Sequence, residues 1–221
     1  MKSLLFDLDG TLTNPFTGIT SSIQYAMNKL GHPHVDARDL HFTIGPPLSE
    51  SFSILLDSQD EKRIQKAITL YRERYANIGL YENEVYEGIP ELLQGLKSEG
   101  YRMLLCTSKP RVFAEKILKY FTLTQYFTRI YGCELDGTFG HKPDLLRHII
   151  EQEALIPQNA VMIGDRKHDL LAARENNVAA IGVSWGFGSV EELRYHKAEV
   201  IVDSPKTLGE VIGQPFSAAP A

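Results

Sequence analysis

Cysteine is scarce in this sequence, long hydrophobic runs are missing, and neither sign of charge dominates. Two cysteines in 221 residues are too few for a disulfide framework, and Cys106 lies in an apolar run, which is typical of a buried residue in a reducing compartment. No run is long enough to span a bilayer, and the N-terminal residues lack a signal-peptide pattern. A formal net charge of −5 argues against a nucleic-acid-binding surface. We therefore expect a cytoplasmic protein without a membrane or nucleic-acid partner.

Short apolar runs and helical patterns alternate along most of the chain. Hydrophobic residues make up 43% of it and charged residues 23%, which is ordinary for a protein with a buried core. The runs predicted as strands are Ser3–Phe6, Arg102–Cys106, Arg129–Tyr131, Ala160–Ile163 and Ala179–Val183. The helices predicted between the later runs are Ile89–Ser98, Arg111–Tyr120, Asp144–Gln152 and Lys167–Asn176. This alternation predicts an α/β fold, a Rossmann-like parallel sheet flanked by helices.

One segment, residues 16–81, interrupts the alternation. It contains no clear strand but three helical patterns, at Thr20–Leu30, Pro47–Leu56 and Asp60–Asn77. The segment predicts a small all-helical domain inserted after the first strand. The predicted boundaries are 1–15 with 82–213 for the α/β core domain, 16–81 for the helical domain and 214–221 for a flexible tail.

Polar motifs follow the predicted strands or begin the helices behind them. They are DLDGT at 7–11, TSKP at 107–110, HKP at 141–143 and GDRKHD at 164–169. Because the carboxyl ends of parallel strands share one edge of a sheet, we expect these motifs to converge there. Asp7 and Asp9 repel each other unless a cation or a shared proton relieves them. Together with Asp165 they predict a Mg²⁺ site, since this hard ion prefers oxygen ligands.

The same edge suits phosphoryl transfer. A phosphate ester is anionic, so attack on it requires positive charge and hydrogen-bond donors around the equatorial oxygens. Lys142 can neutralise both the phosphate and an attacking carboxylate, while Thr107 and backbone N–H groups can hold phosphate oxygens. A carboxylate nucleophile gives an aspartyl-phosphate.

In chain order, DLDGT, TSKP, HKPD and GDRKHD resemble the four signature motifs of the haloacid dehalogenase superfamily of phosphatases. The resemblance covers essentially the whole chain, because the segment at 16–81 is similar to the small cap domain that this family places after its first motif. TIGPPL at 43–48, YRERY at 71–75 and GDRKHD resemble the phosphoglycolate phosphatase-like or 5′-nucleotidase group. By the same resemblance, superfamily members that act as dehalogenases lack the second aspartate of the first motif. The presence of Asp9 therefore favours phosphate chemistry.

The resemblance implies roles for the motif residues. Asp7 is expected to be the nucleophile, and Asp9 the acid that protonates the leaving alcohol and then the base that activates water. Thr107 and Lys142 complete the expected catalytic set. The implied metal ligands are Asp7, Asp165, Asp169 and the backbone carbonyl of Asp9.

Further expectations concern the substrate. Asp169 is expected to bind a metal-bound water or to orient Lys142. In the cap, the resemblance implies substrate contacts from Thr43 and Gly45. The residues expected around the phosphate are Leu8, Asp9, Gly10, Thr107, Ser108 and Lys142.

Some residues near the motifs are assigned no chemistry. Lys109 is expected to be an exposed surface lysine, Arg166 a solvent-side or sheet-edge group and Arg74 part of a solvated helix face. The stretch Trp185–Gly188 lacks the GxGxxG pattern and is expected to be a structural turn, at a position that the resemblance places beside the active-site entrance.

These observations favour a Mg²⁺-dependent hydrolase of small phosphomonoesters, with phosphoglycolate and 5′-nucleotides as leading substrates. A sugar phosphomutase with the same aspartyl-phosphate is an alternative. Another is a phosphonate hydrolase, which by resemblance needs a cap lysine for a Schiff base; Lys29 is the nearest candidate. Outside enzymes, the alternative is a non-catalytic phosphate-binding protein. A monomer or a homodimer is expected.

Overall fold

The computed structural model describes residues 2–213, and the tail predicted at 214–221 lies outside them. Within residues 2–213 the chain divides into two compact units, one made of residues 2–13 with 85–213 and the other of Asn14–Glu84. We call them the α/β unit and the helical unit. Within residues 2–213, no helix combines the length and apolar character that a membrane crossing requires.

A six-stranded parallel sheet forms the centre of the α/β unit. The strands found within residues 2–213 are β1 Ser3–Phe6, β2 Thr13–Asn14, β3 Glu84–Val85, β4 Arg102–Pro110, β5 Arg129–Cys133, β6 Ala160–Gly164, β7 Ala179–Val183 and β8 Val200–Val202. The sheet has the order β5–β4–β1–β6–β7–β8, and all neighbouring pairs are parallel. Because β1 lies inside the sheet, its side chains are buried on both faces, which explains its continuous apolar run. The predicted parallel sheet is confirmed.

The short strands β2 and β3 were not predicted, β5 and β6 extend one or two residues beyond their predicted ends, and the differences that bear on the site and the sheet order are at β4 and β8. The prediction ends β4 at Cys106, but the strand continues to Pro110, and its pairing with β5 becomes irregular between Thr107 and Pro110. β8 is missing from the prediction, because its three residues form too short a run to stand out from a loop. The last strand predicted from the sequence, Ala179–Val183, is therefore β7, and β8 follows it in the sheet.

The helical unit contains three α-helices near the predicted positions. They are α1 Phe16–Lys29, α2 Leu48–Leu55 and α3 Glu61–Tyr75. Tyr71 and Tyr75 of α3 are both buried, with their rings stacked 5.1 Å apart. Gly18 of α1 lies so close to Gly79 that a Cβ on it would be 1.9 Å from the Gly79 carbonyl oxygen, so the two segments pack backbone to backbone.

Arg74 does not lie on a solvated face of α3, and that expectation is wrong. Its guanidinium donates two hydrogen bonds to Glu82, at 2.7 and 2.9 Å, and its side chain is only 19% exposed. A bidentate pair of this kind is geometrically specific. It connects the last turn of α3 to the segment that follows the helix, a contact that helical periodicity does not reveal.

In the described part of the α/β unit there are six α-helices. They are α4 Ile89–Ser98, α5 Arg111–Tyr120, α6 Lys142–Gln152, α7 Lys167–Glu175, α8 Val190–Tyr195 and α9 Pro205–Ile212. The bounds of α4 and α5 agree with the prediction, and α6 begins two residues earlier than predicted, at Lys142. Side chains of α6 and α7, among them Leu145 and Leu170, pack in one core cluster with Leu104 and Met162 of the sheet.

Cys106 lies in this core and is fully buried. Burial raises the pKa of its thiol to about 12, so the reactive thiolate is scarce at neutral pH. We expect Cys106 to resist iodoacetamide in the folded protein and to react fully in denaturant, as measured by mass spectrometry of its peptide. Rapid alkylation under native conditions would contradict the burial.

Candidate active site

Three buried carboxylates meet at the carboxyl edge of the sheet. Asp7 follows β1, Asp165 follows β6, and Asp169 lies in the first turn of α7. One oxygen of each lies within 4.8 Å of the other two, and their side chains are almost fully buried. Burial, together with the charges of Asp169 and Asp7, raises the pKa of Asp165 well above its usual range. The cluster therefore carries an electrostatic cost that a cation would relieve.

Lys142 provides positive charge to this cluster. Its Nζ lies 2.9 Å from Oδ2 of Asp7 and 2.5 Å from Oδ1 of Asp169. Lys142 begins α6, and Pro143 behind it has a backbone suited to the first turn of a helix. Burial disfavours the charged ammonium, but Asp169 and Asp7 outweigh burial and raise the pKa of Lys142. The lysine therefore remains cationic at neutral pH and joins two of the three carboxylates.

Asp169 also fixes the start of α7. Its Oδ2 accepts a hydrogen bond from the backbone N–H of Arg166 at 3.0 Å, a helix-capping arrangement. Burial raises the pKa of Asp169 to about 6, although Lys142 lowers it. Of the two positions expected for Arg166, solvent side or sheet edge, the first is wrong. Its Nε donates to Glu192 at 3.1 Å, and its side chain is 11% exposed.

The turn after β1 uses its own backbone N–H groups. The N–H of Leu8 donates to Oδ1 of Asp7 at 2.7 Å, and the N–H of Gly10 donates to the carbonyl of Thr13 at 2.8 Å. Both residues are among those expected around the phosphate. In the structure, their N–H groups orient Asp7 and close the turn.

The stretch Trp185–Gly188 packs against Asp165. The backbone N–H of Phe187 donates to Oδ2 of Asp165 at 2.7 Å. A Cβ at Gly186 would lie 2.3 Å from the carbonyl oxygen of Gly10 and 2.4 Å from Oδ2 of Asp165. Gly10 itself has φ +84°, which glycine adopts without strain. The stretch is thus more than a turn, because its glycines allow the backbone to reach Asp165.

Gly186→Ala is expected to displace Asp165, because no Cβ fits at 2.3 to 2.4 Å from its neighbours. Overpacking typically costs about 1–3 kcal/mol, and we expect the free energy of unfolding to fall by about that amount in urea denaturation. Affinity for Mg²⁺, measured by isothermal titration calorimetry, is expected to fall as well.

Gly95→Ala in α4 is the matched control. A Cβ at Gly95 meets nothing within 4 Å, and alanine is favoured over glycine in a helix by about 0.5–1 kcal/mol. We expect a small gain in stability and unchanged Mg²⁺ affinity. Equal losses in the two variants would contradict the close packing of Gly186 on Asp165.

The end of β4 brings three polar residues to the same edge. Thr107 is 2% exposed, and its hydroxyl accepts a hydrogen bond from the N–H of Lys109 at 3.3 Å. The carbonyl of Ser108 accepts from Sγ of Cys133 at 2.9 Å. The irregular pairing between Thr107 and Pro110 breaks the strand's alternation, and such irregularities re-aim side chains beside active sites.

Lys109 is buried, so the expectation of an exposed lysine is wrong. It is 8% exposed, and its Nζ lies 2.5 Å from Oδ2 of Asp9. Its position within TSKP, at the same strand end as Thr107, is the sequence feature that could have indicated a buried lysine at this edge. The side chain of Asp9 thus pairs with Lys109, and Asp9 is not among the three carboxylates, of Asp7, Asp165 and Asp169, that lie close enough together to hold a metal ion. This corrects the residue-based expectation that the Asp9 carboxylate helps to build that site.

Asp9 has the electrostatics of a carboxyl group that can carry a proton. Burial raises its pKa, Lys109 lowers it, and on balance the pKa is above its usual value. A raised pKa suits a general acid, which must be protonated before it can donate.

The other predicted residues lie in the helical unit. Thr43 is 2% exposed, and its hydroxyl donates to the carbonyl of Leu40 at 2.6 Å. Gly45 has φ +104°, a conformation that favours glycine. Lys29 is exposed, with its ammonium 5.6 Å from the ring centre of Tyr25.

The residues present fit a hard divalent cation. All three members of the carboxylate group are aspartates, so each offers an oxygen of the kind that Mg²⁺ prefers. A zinc site would be expected to include nitrogen or sulfur ligands. The chemistry of the donors and the charge they carry therefore agree with the Mg²⁺ expected from the sequence.

Comparison with known proteins identifies relatives that match most of the chain. Residues 4–183 match the family described as haloacid dehalogenase-like hydrolase. A 5′-nucleotidase from Pseudomonas aeruginosa is 50% identical over 195 residues, which cover 88% of each chain. A phosphoglycolate phosphatase from Vibrio parahaemolyticus is 28% identical, covering 96% of each chain. The crystal structure of a predicted phosphatase from Clostridium acetobutylicum is 42% identical, with a TM-score of 0.92 and coverage of 96% of this chain and 97% of that one.

Proposed function

The chain belongs to the haloacid dehalogenase-like hydrolase family, and on that basis we propose that it is a Mg²⁺-dependent hydrolase of small phosphomonoesters. The observation that carries the proposal is the position of Lys142 between Asp7 and Asp169, beside the third carboxylate of Asp165. One cation and three carboxylates, all buried, leave a site that can bind a divalent ion and receive an anionic phosphate. A cytoplasmic location is part of the proposal.

In the first step, a carboxylate oxygen of Asp7 attacks phosphorus. A bond forms between that oxygen and phosphorus, the bond from phosphorus to the ester oxygen breaks, and its electron pair stays on the ester oxygen. Asp9 donates its proton to this oxygen, so the alcohol leaves neutral. The product on the enzyme is an aspartyl-phosphate at Asp7.

In the second step, water attacks the phosphorus of the aspartyl-phosphate. Asp9, now a carboxylate, takes a proton from the water, and the bond from phosphorus to Asp7 breaks with its electron pair returning to the Asp7 carboxylate. Inorganic phosphate leaves, and Asp9 is protonated again. Each residue ends the cycle as it began.

Positive charge around the phosphate comes from two sources in this proposal. Lys142, held by Asp7 and Asp169, lies beside the nucleophile, so it can contact the phosphate as charge develops. When bound at Asp7, Asp165 and Asp169, Mg²⁺ supplies further charge that offsets repulsion between the phosphate and these carboxylates. Thr107, at the end of β4, is proposed to hold a phosphate oxygen through its hydroxyl.

We propose a 5′-nucleotide or phosphoglycolate as the substrate. The support comes from the relatives, one named a 5′-nucleotidase and one a phosphoglycolate phosphatase. The helical unit is proposed to act as the cap, with Thr43 and Gly45 contacting the leaving group. Excluding water and recognising the leaving group is the usual task of such a lid.

Phosphate release from a panel of phosphorylated metabolites tests the proposal. The panel includes 5′-nucleotides, phosphoglycolate, sugar phosphates and a phosphonate, each assayed with Mg²⁺ and with EDTA. Release that requires Mg²⁺ supports the proposed function, and the best substrate assigns the subgroup. Folded protein that releases phosphate from none of the esters would contradict it, and isomerised sugar phosphate without net release would indicate a mutase.

A further inference from the structure

The two oxygens of the Asp9 carboxyl group differ in their contacts. Its Oδ2 lies 2.5 Å from Nζ of Lys109, which is itself buried. Its Oδ1 is also buried, yet within residues 2–213 it has no hydrogen-bond partner. A buried oxygen without a partner is costly, and such oxygens often mark a position that a ligand or reacting group occupies.

From this asymmetry we infer that Lys109 is a positioning residue for the acid and base Asp9, fixing Oδ2 so that Oδ1 is the oxygen that exchanges the proton. The inference rests on the proposed function. It assigns the transferring oxygen and names the residue that orients it. Lys142 is engaged with Asp7 and Asp169, so the two buried lysines of the site serve different carboxylates.

Orientation matters because a carboxyl group rotates about its side-chain bonds unless something holds it. Catalytic groups displaced by about an ångström can lose about 100-fold in rate. In the step concerned, the O–H bond at Oδ1 of Asp9 breaks, its proton moves to the ester oxygen, and the electron pair of the breaking P–O bond stays on that oxygen. Asp9 also takes a proton from water in the second step, but that step is the same for every ester. The first step is therefore measured by itself, as release of the leaving group in a single turnover with enzyme in excess.

Two kinds of ester distinguish a lysine that orients Asp9 from one that binds phosphate or supports the fold. They differ in whether the leaving group needs a proton from an acid. The nitrophenolate of p-nitrophenyl phosphate leaves readily without a proton, whereas the alcohol of an alkyl phosphate does not. In such a single turnover, Lys109→Met is therefore expected to slow release of the leaving group about 10- to 100-fold for adenosine 5′-monophosphate or phosphoglycolate, and less than about threefold for p-nitrophenyl phosphate. The substrate concentration that gives half of the maximal single-turnover rate is expected to change little for either ester.

Lys116→Met is the matched control, because Lys116 is an exposed lysine of α5. It should leave both rates unchanged. Equal losses for the two kinds of ester in Lys109→Met would overturn the inference, since a lysine that binds phosphate or only supports the fold would affect both. Unchanged rates with both esters would overturn it as well.

The same set of variants and esters distinguishes a failure of the role of Lys109 from a folding defect and from a failure of the proposed function. If Lys109→Met does not fold, as judged by circular dichroism, Lys109→Gln replaces it and keeps a polar group in the space; the same selective loss is expected, though smaller. If the wild-type protein hydrolyses neither ester, the proposed function itself fails. If it hydrolyses both and Lys109→Met loses them equally, only the role of Lys109 fails.

Discussion

Replacing Lys142 with methionine is expected to remove activity and to destabilise the fold. The ammonium contacts Asp7 at 2.9 Å and Asp169 at 2.5 Å, and all three residues are buried. Removing one partner of a buried pair typically costs about 3–5 kcal/mol, because the remaining charges lose their compensation. We expect Lys142→Met to lower the free energy of unfolding by about this amount in urea denaturation with EDTA present. Turnover is expected to fall by at least about 10³-fold.

The loss of stability in Lys142→Met should depend on pH. The pKa of Asp169 is raised to about 6, above its value in an unfolded chain, and loss of Lys142 raises it further. A carboxyl group whose pKa is raised on folding destabilises the folded state when it is ionised, so the loss should be largest near pH 8 and smaller near pH 5. Lys116→Met serves as the control at both values. A loss below about 1 kcal/mol at the higher pH would contradict the pairing of Lys142 with the cluster.

Asp7→Asn is expected to abolish turnover and leave the protein folded. The amide has nearly the shape of the carboxylate but cannot form an acyl-phosphate, so kcat should fall by at least about 10⁴-fold. Lys142 keeps its contact with Asp169 in this variant, and one of three crowded negative charges is removed. We therefore expect the free energy of unfolding to change by less than about 1 kcal/mol, in contrast to Lys142→Met.

The two measurements are phosphate release and urea denaturation of the same preparations. Asp39→Asn is a suitable control for Asp7→Asn, because Asp39 is exposed. It should retain full activity. Turnover in Asp7→Asn within tenfold of the wild type would contradict the assignment of Asp7 as the nucleophile.

Much of the fold followed from the sequence because its signals are local. Runs such as Ser3–Phe6 are apolar throughout, since a central strand of a parallel sheet is covered on both faces. The helical patterns gave the bounds of α4 and α5. β8 was not predicted, because three apolar residues at the sheet edge lie below the length at which a run can be distinguished from a loop.

The structure brings Asp7, Asp165, Asp169 and Lys142 together, as the topology of a parallel sheet suggests. Two features could not be predicted in the same way. The burial of Lys109 depends on the continuation of β4 beyond Cys106 and on its irregular pairing with β5, neither of which has a periodic signal.

The role of Trp185–Gly188 is the second such feature. It depends on where the stretch lies relative to Asp165, which is determined by packing in three dimensions. Glycine-rich composition indicates a turn but does not identify its neighbour. The sequence therefore predicted the site residues that lie at the ends of regular strands. It did not predict the roles of Lys109 and of Trp185–Gly188, which depend on irregular backbone.

The most direct test of the proposed chemistry is chemical trapping of the intermediate. Wild-type protein is mixed with its best substrate and Mg²⁺, quenched in acid within milliseconds and treated with borohydride, which reduces an acyl-phosphate to an alcohol. Mass spectrometry of the N-terminal peptide is expected to show aspartate converted to homoserine at position 7 and unchanged at position 9. Conversion at another residue, or none while phosphate is being released, would contradict nucleophilic attack by Asp7.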